Sequence, residues 1–513
     1  MAASTSQHAR SSGLVLAAMI FAVSMTFIDQ TIVSIAAPQI QRELGLTATG
    51  VQWAINSYLL TLAALFAFGG RLADTLGHRR VVVLGVVLFA TASAMCGLTP
   101  KGGAAETWLI VFRAAQGAGG AIMFPAALAI VVQTFPLHRR GRALALFFGI
   151  AGGLTAIGPT LGGFLTQWTW RAIFWVNIPV ALVALALIAV SRPRTEYKPA
   201  PIDYRGLVLI AGGIGISVLG FQQAQSWGWS SPVTWICIVG GLALLVVFYF
   251  VELRTTSPLI DVRIFEITPF RIENVVLGLS TFVFIPTFVF ASEYAEISLG
   301  KKASSASLVL LYFFLGFVVA AQIGGRMLDR VGAKRPVVAG CAVAAVGYWL
   351  WAGKVTELSL SKQVWFVVLA GAGMGLMLGP ASTDAVNRAS RLSYGEATGI
   401  TQTVRNYTAS LGFAILGTML VTQMRDKTTS SLVAQGLPHA QAKATASQIT
   451  MSQGSSGTSG PIPHFIRLDF ASSIHDVLLA MAIVMAAAAA VALLGLRRGV
   501  QAEEPDVVKV AAT

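Results

Sequence analysis

The stretch Gly70-Arg71-Leu72-Ala73-Asp74-Thr75-Leu76-Gly77-His78-Arg79-Arg80 returns further along the chain as Gly325-Arg326-Met327-Leu328-Asp329-Arg330-Val331-Gly332-Ala333-Lys334-Arg335. Both read G-R-x-x-D-x-x-G-x-basic-basic, and both lie between long apolar runs. A basic loop duplicated between hydrophobic segments predicts two related half-bundles inside a membrane.

Composition agrees. The 513 residues are 55% hydrophobic and 11% charged, with a mean hydropathy of +0.72. A soluble domain carries about 25% charged residues, so too few remain here to coat a water-facing surface. The apolar residues come in blocks of about 18 to 25, enough to cross a hydrocarbon core near 30 Å. A β-barrel would instead show alternating segments of about ten residues. The expected class is an all-α membrane protein embedded in a lipid bilayer.

The net charge of +14 does not point to nucleic acid, because the basic residues fall in short loops between spans. The three cysteines, Cys96, Cys237 and Cys341, each lie inside an apolar run and form no metal or disulfide pattern. The first apolar run is too long for a signal-peptide core, and no small-residue cleavage site follows it. No phosphate-binding G-x-x-x-x-G-K-[ST], zinc-protease HExxH or hydrolase GxSxG occurs. Neither ATP, a metal, another cofactor nor an enzymatic activity is expected.

The hydrophobic blocks divide into fourteen spans, near 14–37, 51–70, 80–98, 108–131, 142–166, 171–191, 205–224, 233–252, 271–294, 304–328, 336–353, 363–386, 398–422 and 470–496. An even count puts both termini on one side. One set of loops holds Arg79, Arg80, Arg139, Arg140, Arg142, Arg192, Arg194, Lys198, Lys334 and Arg335. With the termini, that face carries roughly 23 Lys and Arg against about 11 on the other, which makes it cytoplasmic. The duplicated loops follow spans 2 and 10, whereas two six-span halves would place the second after span 8. Spans 7 and 8 are therefore read as a central insertion. The expected division is a cytoplasmic N-terminus at 1–13, a six-helix bundle at 14–191 and two inserted helices at 205–252. A second six-helix bundle follows at 271–496, then a short cytoplasmic tail at 497–513. The stretch 423–469 reads as an outward loop, flexible by composition around its glycine- and serine-rich run at 452–461.

The duplicated loop resembles the signature of the major facilitator superfamily. Span 1 adds Asp29-Gln30-Thr31-Ile32-Val33, and span 4 adds Arg113-Ala114-Ala115-Gln116-Gly117-Ala118-Gly119. Span 5 adds Gly158-Pro159-Thr160-Leu161-Gly162-Gly163. Trp170-Arg171-Ala172-Ile173-Phe174, Asn177-Ile178-Pro179 and Ser257-Pro258-Leu259-Ile260-Asp261-Val262-Arg263-Ile264-Phe265 complete an ordered set. That set resembles the fourteen-span drug:proton antiporter branch. Departures are Leu154, where relatives often show glycine, the polar run from Arg405 in span 13, and Glu293 and Glu296 ending span 9. The resemblance implies the major facilitator fold and export of amphipathic small molecules in exchange for protons across the plasma membrane, by a monomer.

Asp29 is the leading site candidate, since a carboxylate inside a span is costly unless it faces a cavity or a partner. Counting at 1.5 Å per residue puts it about 22 Å from the cytoplasmic edge, and Arg113 about 21 Å. Opposite charges at one depth can pair. Either Asp29 gains and loses the transported proton with Arg113 tuning it, or the two are a static ion pair. Gln116, almost one turn from Arg113, offers a hydrogen bond to substrate or to another helix. Glu293, Met374 and Met377, with Phe284, Phe288 and Tyr312, are candidates for a substrate cavity, against interfacial or core roles. The resemblance implies a cytoplasmic gate at Gly70, Arg71, Asp74, Gly77, Arg79 and Arg80, with Asp74 meeting Arg405 from the other half, the alternative being a determinant of folding and topology alone. It likewise implies that Gly158, Pro159, Gly162 and Gly163 seal the protein against leak, the alternative being ordinary small-residue packing. A symporter, an exporter dedicated to one metabolite, and a sensor that moves nothing are the competing readings.

Overall fold

The computed structural model describes residues 2–46, 48–193, 203–256, 258–301, 303–389, 394–453, 462–497 and 499. Arg194, Lys198, Ser257, residues 454–461 and the tail from 500 lie outside the described residues. So do the side chains of the first eleven residues and of Pro159. Among the described residues there are helices and connecting turns and no strand.

The first half comprises α1 (Ala2–Leu44), α2 (Ala48–Leu76), α3 (His78–Gly97), α4 (Ala105–Thr134), α5 (Leu137–Leu165), α6 (Ala172–Trp175) and α7 (Asn177–Ser191). Then come α8 (Tyr204–Trp227) and α9 (Pro232–Glu252). The second half comprises α10 (Thr268–Ile297), α11 (Ala303–Val331), α12 (Lys334–Val355), α13 (Leu360–Arg388), α14 (Tyr394–Ala434), α15 (His439–Gln453) and α16 (His464–Gly495). Thirteen segments are long and apolar enough to cross a membrane, the short α6 and α7 counting as one. The 29-residue α5 has the length of a fourteenth. The break between α6 and α7 falls at Val176, where Pro179 has no N–H to return to Trp175.

The two halves are built alike. In the first, α4 packs on α2 and α3, α1 on α5 and α7, and α3 on α7. In the second, α13 packs on α11 and α12, α10 on α14 and α16, and α12 on α16. Both α4 and α13 carry an internal proline, Pro125 and Pro380, at the same offset as the repeated loops. Lipid offers no hydrophobic drive between helices, so close backbone approach must hold them. Glycine supplies it: a methyl at Gly117 would strike the Tyr58 backbone of α2, and one at Gly371 the Phe313 backbone of α11.

The repeated loops share a backbone device. Gly77 has φ 91° and Gly332 has φ 80°, conformations that side chains of L-residues avoid. Each donates its N–H back to the helix it ends, Gly77 to the Ala73 carbonyl at 2.9 Å and Gly332 to the Leu328 carbonyl at 3.1 Å. One or two residues therefore reverse the chain between spans.

The halves meet along α2 against α14 and α5 against α11, with α13 on α5 and α4 on α14. The inserted α8 and α9 pack on each other, and α8 touches both α2 and α14, so the pair lies over this seam. Outside the spans, Lys354 and Lys362 reach the Glu357 carboxylate at 2.6 and 2.8 Å. Their hydrogen bonds hold its pKa down at about 2.

The stretch expected as an outward loop from residue 423 is helical over most of its described residues, the run at 454–461 lying outside them. The helix α14 runs on to Ala434, and α15 covers most of the remainder. Lys427 Nζ donates to Asp476 Oδ2 at 2.6 Å and to the Ser472 carbonyl at 2.7 Å, and Ser431 Oγ donates to Asp469 Oδ1 at 2.9 Å, fastening α14 to α16. Ala442 and Ala446 of α15 bury themselves with Leu432. Falling hydropathy marks where lipid ends, which need not be where the helix ends.

Candidate functional site

Asp29 on α1 is fully buried, and Arg113 on α4 is 1% exposed. Arg113 Nη1 donates to Asp29 Oδ2 at 2.5 Å and to Gln116 Oε1 at 2.8 Å. Gln116 Nε2 donates to the other carboxylate oxygen, Asp29 Oδ1, at 2.9 Å. The three side chains thus close a ring in which both oxygens of the acid are satisfied. The counted depths anticipated the level; the rotation of α1 and α4 turns the side chains together.

A second shell ties this ring to the rest of the half. Arg113 Nε donates to the Ala54 carbonyl of α2 at 3.1 Å, and its guanidinium lies 4.4 Å from the centroid of the Tyr58 ring. Gln116 Nε2 also reaches Ser93 Oγ of α3 at 3.2 Å. Ser93 in turn donates to the Phe174 carbonyl at 2.8 Å and accepts from Asn177 Nδ2 at 3.0 Å. Five spans therefore converge on one carboxylate. Ser93, Tyr58 and Asn177 were not singled out as site residues from the sequence; a lone serine or tyrosine in an apolar run carries no signal, and Asn177 stood only as part of a family motif.

The glycines of span 5 flank the acid directly. A methyl on Gly158 would collide with Thr31 and crowd the Ile28 carbonyl; one on Gly162 would come within 2.9 Å of Ile32 Cγ1. Those α1 residues bracket Asp29. Gly163 is half-buried and Gly70 buried.

At the end of the bundle carrying the repeated loops, Asp74 lies 3.1 Å from His78, one turn on. Arg405 is half-buried on α14. A hydrogen bond between the halves runs from Arg140 Nη1 of α5 to Asn387 Oδ1 of α13, at 3.3 Å. Beside it, at the α5–α11 seam, a recess of about 660 Å³ is lined by Arg139, Arg142, Arg326, Arg330 and Asp329. Arg71 and Arg79 are half-buried and Arg80 exposed. The Arg140–Asn387 contact was not read from the sequence, where neither residue has a partner at helical spacing.

The cavity candidates separate. Met374 and Met377 are fully buried in the core of the second half, and Met377 Cβ lies 2.7 Å from where a methyl on Gly340 would stand. In this structure both belong to that core, and Met377 packs α13 on α12. Phe284 and Phe288 are likewise core, in a cluster with Phe313, Phe314 and Phe317. Glu293 is exposed on α10. Two further carboxyls come together, Glu273 of α10 and Asp384 of α13, both buried; the sequence leaves Asp384 ambiguous between an interfacial and a proton-site role and does not mark Glu273.

The profile of the Major Facilitator Superfamily matches residues 19–413. The chain is 33% identical to the tetracenomycin C resistance and export protein of Streptomyces glaucescens, over 82% of this chain and 79% of that protein. It is 32% identical to the cephamycin export protein CmcT of Amycolatopsis lactamdurans, over 76% and 81%. The puromycin resistance protein pur8 of Streptomyces alboniger is 32% identical, over 79% and 80%. Among solved structures, the proton:xylose symporter XylE aligns with a TM-score of 0.57 at 14% identity, over 87% of this chain and 95% of that one. A bacterial homologue of the lysosomal transporter Spinster aligns at 0.56 and 18%, over 94% and 97%. These two likenesses concern the fold alone.

Proposed function

Because this chain belongs to the Major Facilitator Superfamily, we propose that it exports amphipathic, antibiotic-like small molecules across the plasma membrane in exchange for protons. Asp29 carries the proton. The observation supporting this most directly is the buried ring of Asp29, Arg113 and Gln116. The cargo class follows from relatives named for the export of, or resistance to, tetracenomycin C, cephamycin and puromycin.

A proton arriving at Asp29 cancels the charge that Arg113 answers. The guanidinium keeps the Ala54 carbonyl, the Gln116 oxygen and the Tyr58 ring, so it stays satisfied while the acid lets go. Asp29 is sealed in this structure, so α1 must shift against α4 and α5 for the proton to enter or leave. That shift is the coupling between proton and cargo: a ligand moves an equilibrium only by what it binds differently in the two states. The basic end, with both termini, faces the cytoplasm. There Gly70, Arg71, Asp74, Gly77, Arg79, Arg80 and Arg405 act as the gate, with Arg140 and Asn387 joining the halves. Gly158 and Gly162 hold α5 on α1, and the motif they form with Pro159 and Gly163 keeps the acid from leaking protons. One chain contains both halves and works as a monomer.

The test is purified protein in liposomes, an imposed pH gradient, and puromycin and ethidium as probes. Wild type accumulates a probe against its gradient; Asp29→Asn reaches the membrane and binds but does not accumulate. Equal accumulation by that variant, or by wild type with no ion gradient, overturns the proposal.

A further inference from the structure

Glu273 sits on the second turn of α10 and is fully buried, and neither of its carboxyl oxygens receives a hydrogen bond from a donor. The Asp384 carboxyl of α13 faces it where α10 packs on α13, and is itself 2% exposed. Arg388, one turn further along α13, donates from Nε to Asp384 Oδ2 at 2.6 Å. Among the described residues, Arg388 is the cation acting on Glu273, and Cys341 of α12 is the other titratable group within its influence. The neighbouring Asn274 donates to the Phe270 carbonyl, and its own oxygen receives no donor.

Two carboxyl groups buried face to face cannot both be ionised at one guanidinium, and a hydrogen bond between them requires a proton on one. Asp384 makes the direct ion pair with Arg388 and Glu273 does not, so the proton belongs between them on the Glu273 side. Glu273 lies about 8 Å into its helix from the end carrying the repeated loops, whereas Ser93, which joins the Asp29 ring, lies about 22 Å into α3 from that same end. The two acids therefore occupy opposite halves of the molecule at different depths. Next to Arg388 is Asn387, which accepts the inter-half bond from Arg140.

We propose that Glu273 and Asp384 form a second proton-binding site, in the half that lacks Asp29, and that its occupancy is coupled to transport through Arg388 and the Asn387–Arg140 contact between the halves. With the proton in place, Asp384 keeps its charge and holds Arg388. When the proton leaves, two anions compete for that guanidinium, and the end of α13 bearing Asn387 must rearrange. The coupling rests on the export reading above; the proton site itself does not.

Two measurements on the full-length protein in vesicles test it. The first is infrared titration in an Asp29→Asn background, without any cargo. A protonated-carboxyl stretching band is expected, lost in Glu273→Gln and weakened in Asp384→Asn, where Arg388 is released to pair with the glutamate. A band indifferent to Glu273→Gln overturns the site. A band removed by sodium chloride but not potassium chloride at constant pH overturns it in favour of a sodium site. The second is the limiting accumulation of puromycin under a difference of one pH unit, where each coupled proton is worth about tenfold. Glu273→Gln is expected to lower the limit about tenfold while gradient-free exchange of puromycin stays within about twofold of wild type. An unchanged limit makes the proton merely structural and overturns the coupling. Failure of the export reading looks different: wild type itself would ignore the pH gradient while the infrared band remained.

Discussion

Gly158 of α5 lies so close to Thr31 of α1 that a single added methyl would overlap the threonine hydroxyl. Thr31 is two residues beyond Asp29, so the small-residue motif of span 5 and the buried acid of span 1 form one packing unit. This gives the glycine run a specific mechanical meaning: it sets how tightly the helix bearing the acid is clamped.

Gly158→Ala must push α1 away or bend α5, at a cost of about 1–3 kcal/mol for overpacking. The expected outcome is a lowered thermal midpoint in detergent, with passive proton leak into dye-loaded vesicles rising above wild type. Gly13, which has open space around it, serves as the control for substitution to alanine. A tight, unshifted Gly158→Ala would show that the contact is not a seal.

Arg113→Ala leaves a carboxylate fully buried with only Gln116 to answer it. Removing one partner of a buried pair costs on the order of 3–5 kcal/mol. Arg113→Lys is not expected to restore stability or transport, because a single ammonium cannot reach Asp29, Gln116 and the Ala54 carbonyl while stacking on Tyr58. Thermal unfolding and pH-driven puromycin uptake check both variants; full rescue by lysine would reduce the arginine to a point charge.

Gly77→Ala and Gly332→Ala force side chains into conformations costing about 1–3 kcal/mol each. The matching geometry of the loops, φ 91° and 80°, predicts similar losses in the two halves, read as shifts in thermal midpoint. A large asymmetry would mean that one loop relaxes where the other cannot.

Asn387→Asp turns the bond that the charged Arg140 guanidinium donates to a neutral amide oxygen into an ion pair with a carboxylate. A firmer tie between the halves at this end should slow the cycle while leaving the protein at least as stable. The initial rate of gradient-free puromycin exchange measures this, and a rate equal to wild type would remove Arg140–Asn387 from the moving parts.

Much of the fold was legible because lipid enforces it. Backbone polar groups in hydrocarbon must be satisfied within helices, so apolar blocks of sufficient length read directly as spans. The duplicated loops exposed the two halves, and the offset between them exposed the inserted pair α8 and α9. Polar composition at 423–469 concealed helix, because Lys427 and Ser431 direct their polar groups at Asp476 and Asp469 of α16. Nor does composition separate core from cavity at Met374 and Met377, since a flexible apolar side chain looks the same in both.

By itself the amino-acid sequence determined the class, the span count, the repeat and the depth of Asp29 and Arg113, because each depends on distance along a helix axis. Only the tertiary structure decided that these two face each other through Gln116, that Gly158 clamps Thr31, and that Glu273 meets Asp384. Those relationships depend on how each helix is rotated and which neighbour it packs against. A helix turns about 100° per residue, so a side chain's depth can be counted from one strand of sequence while its direction is set by the other helices of the bundle.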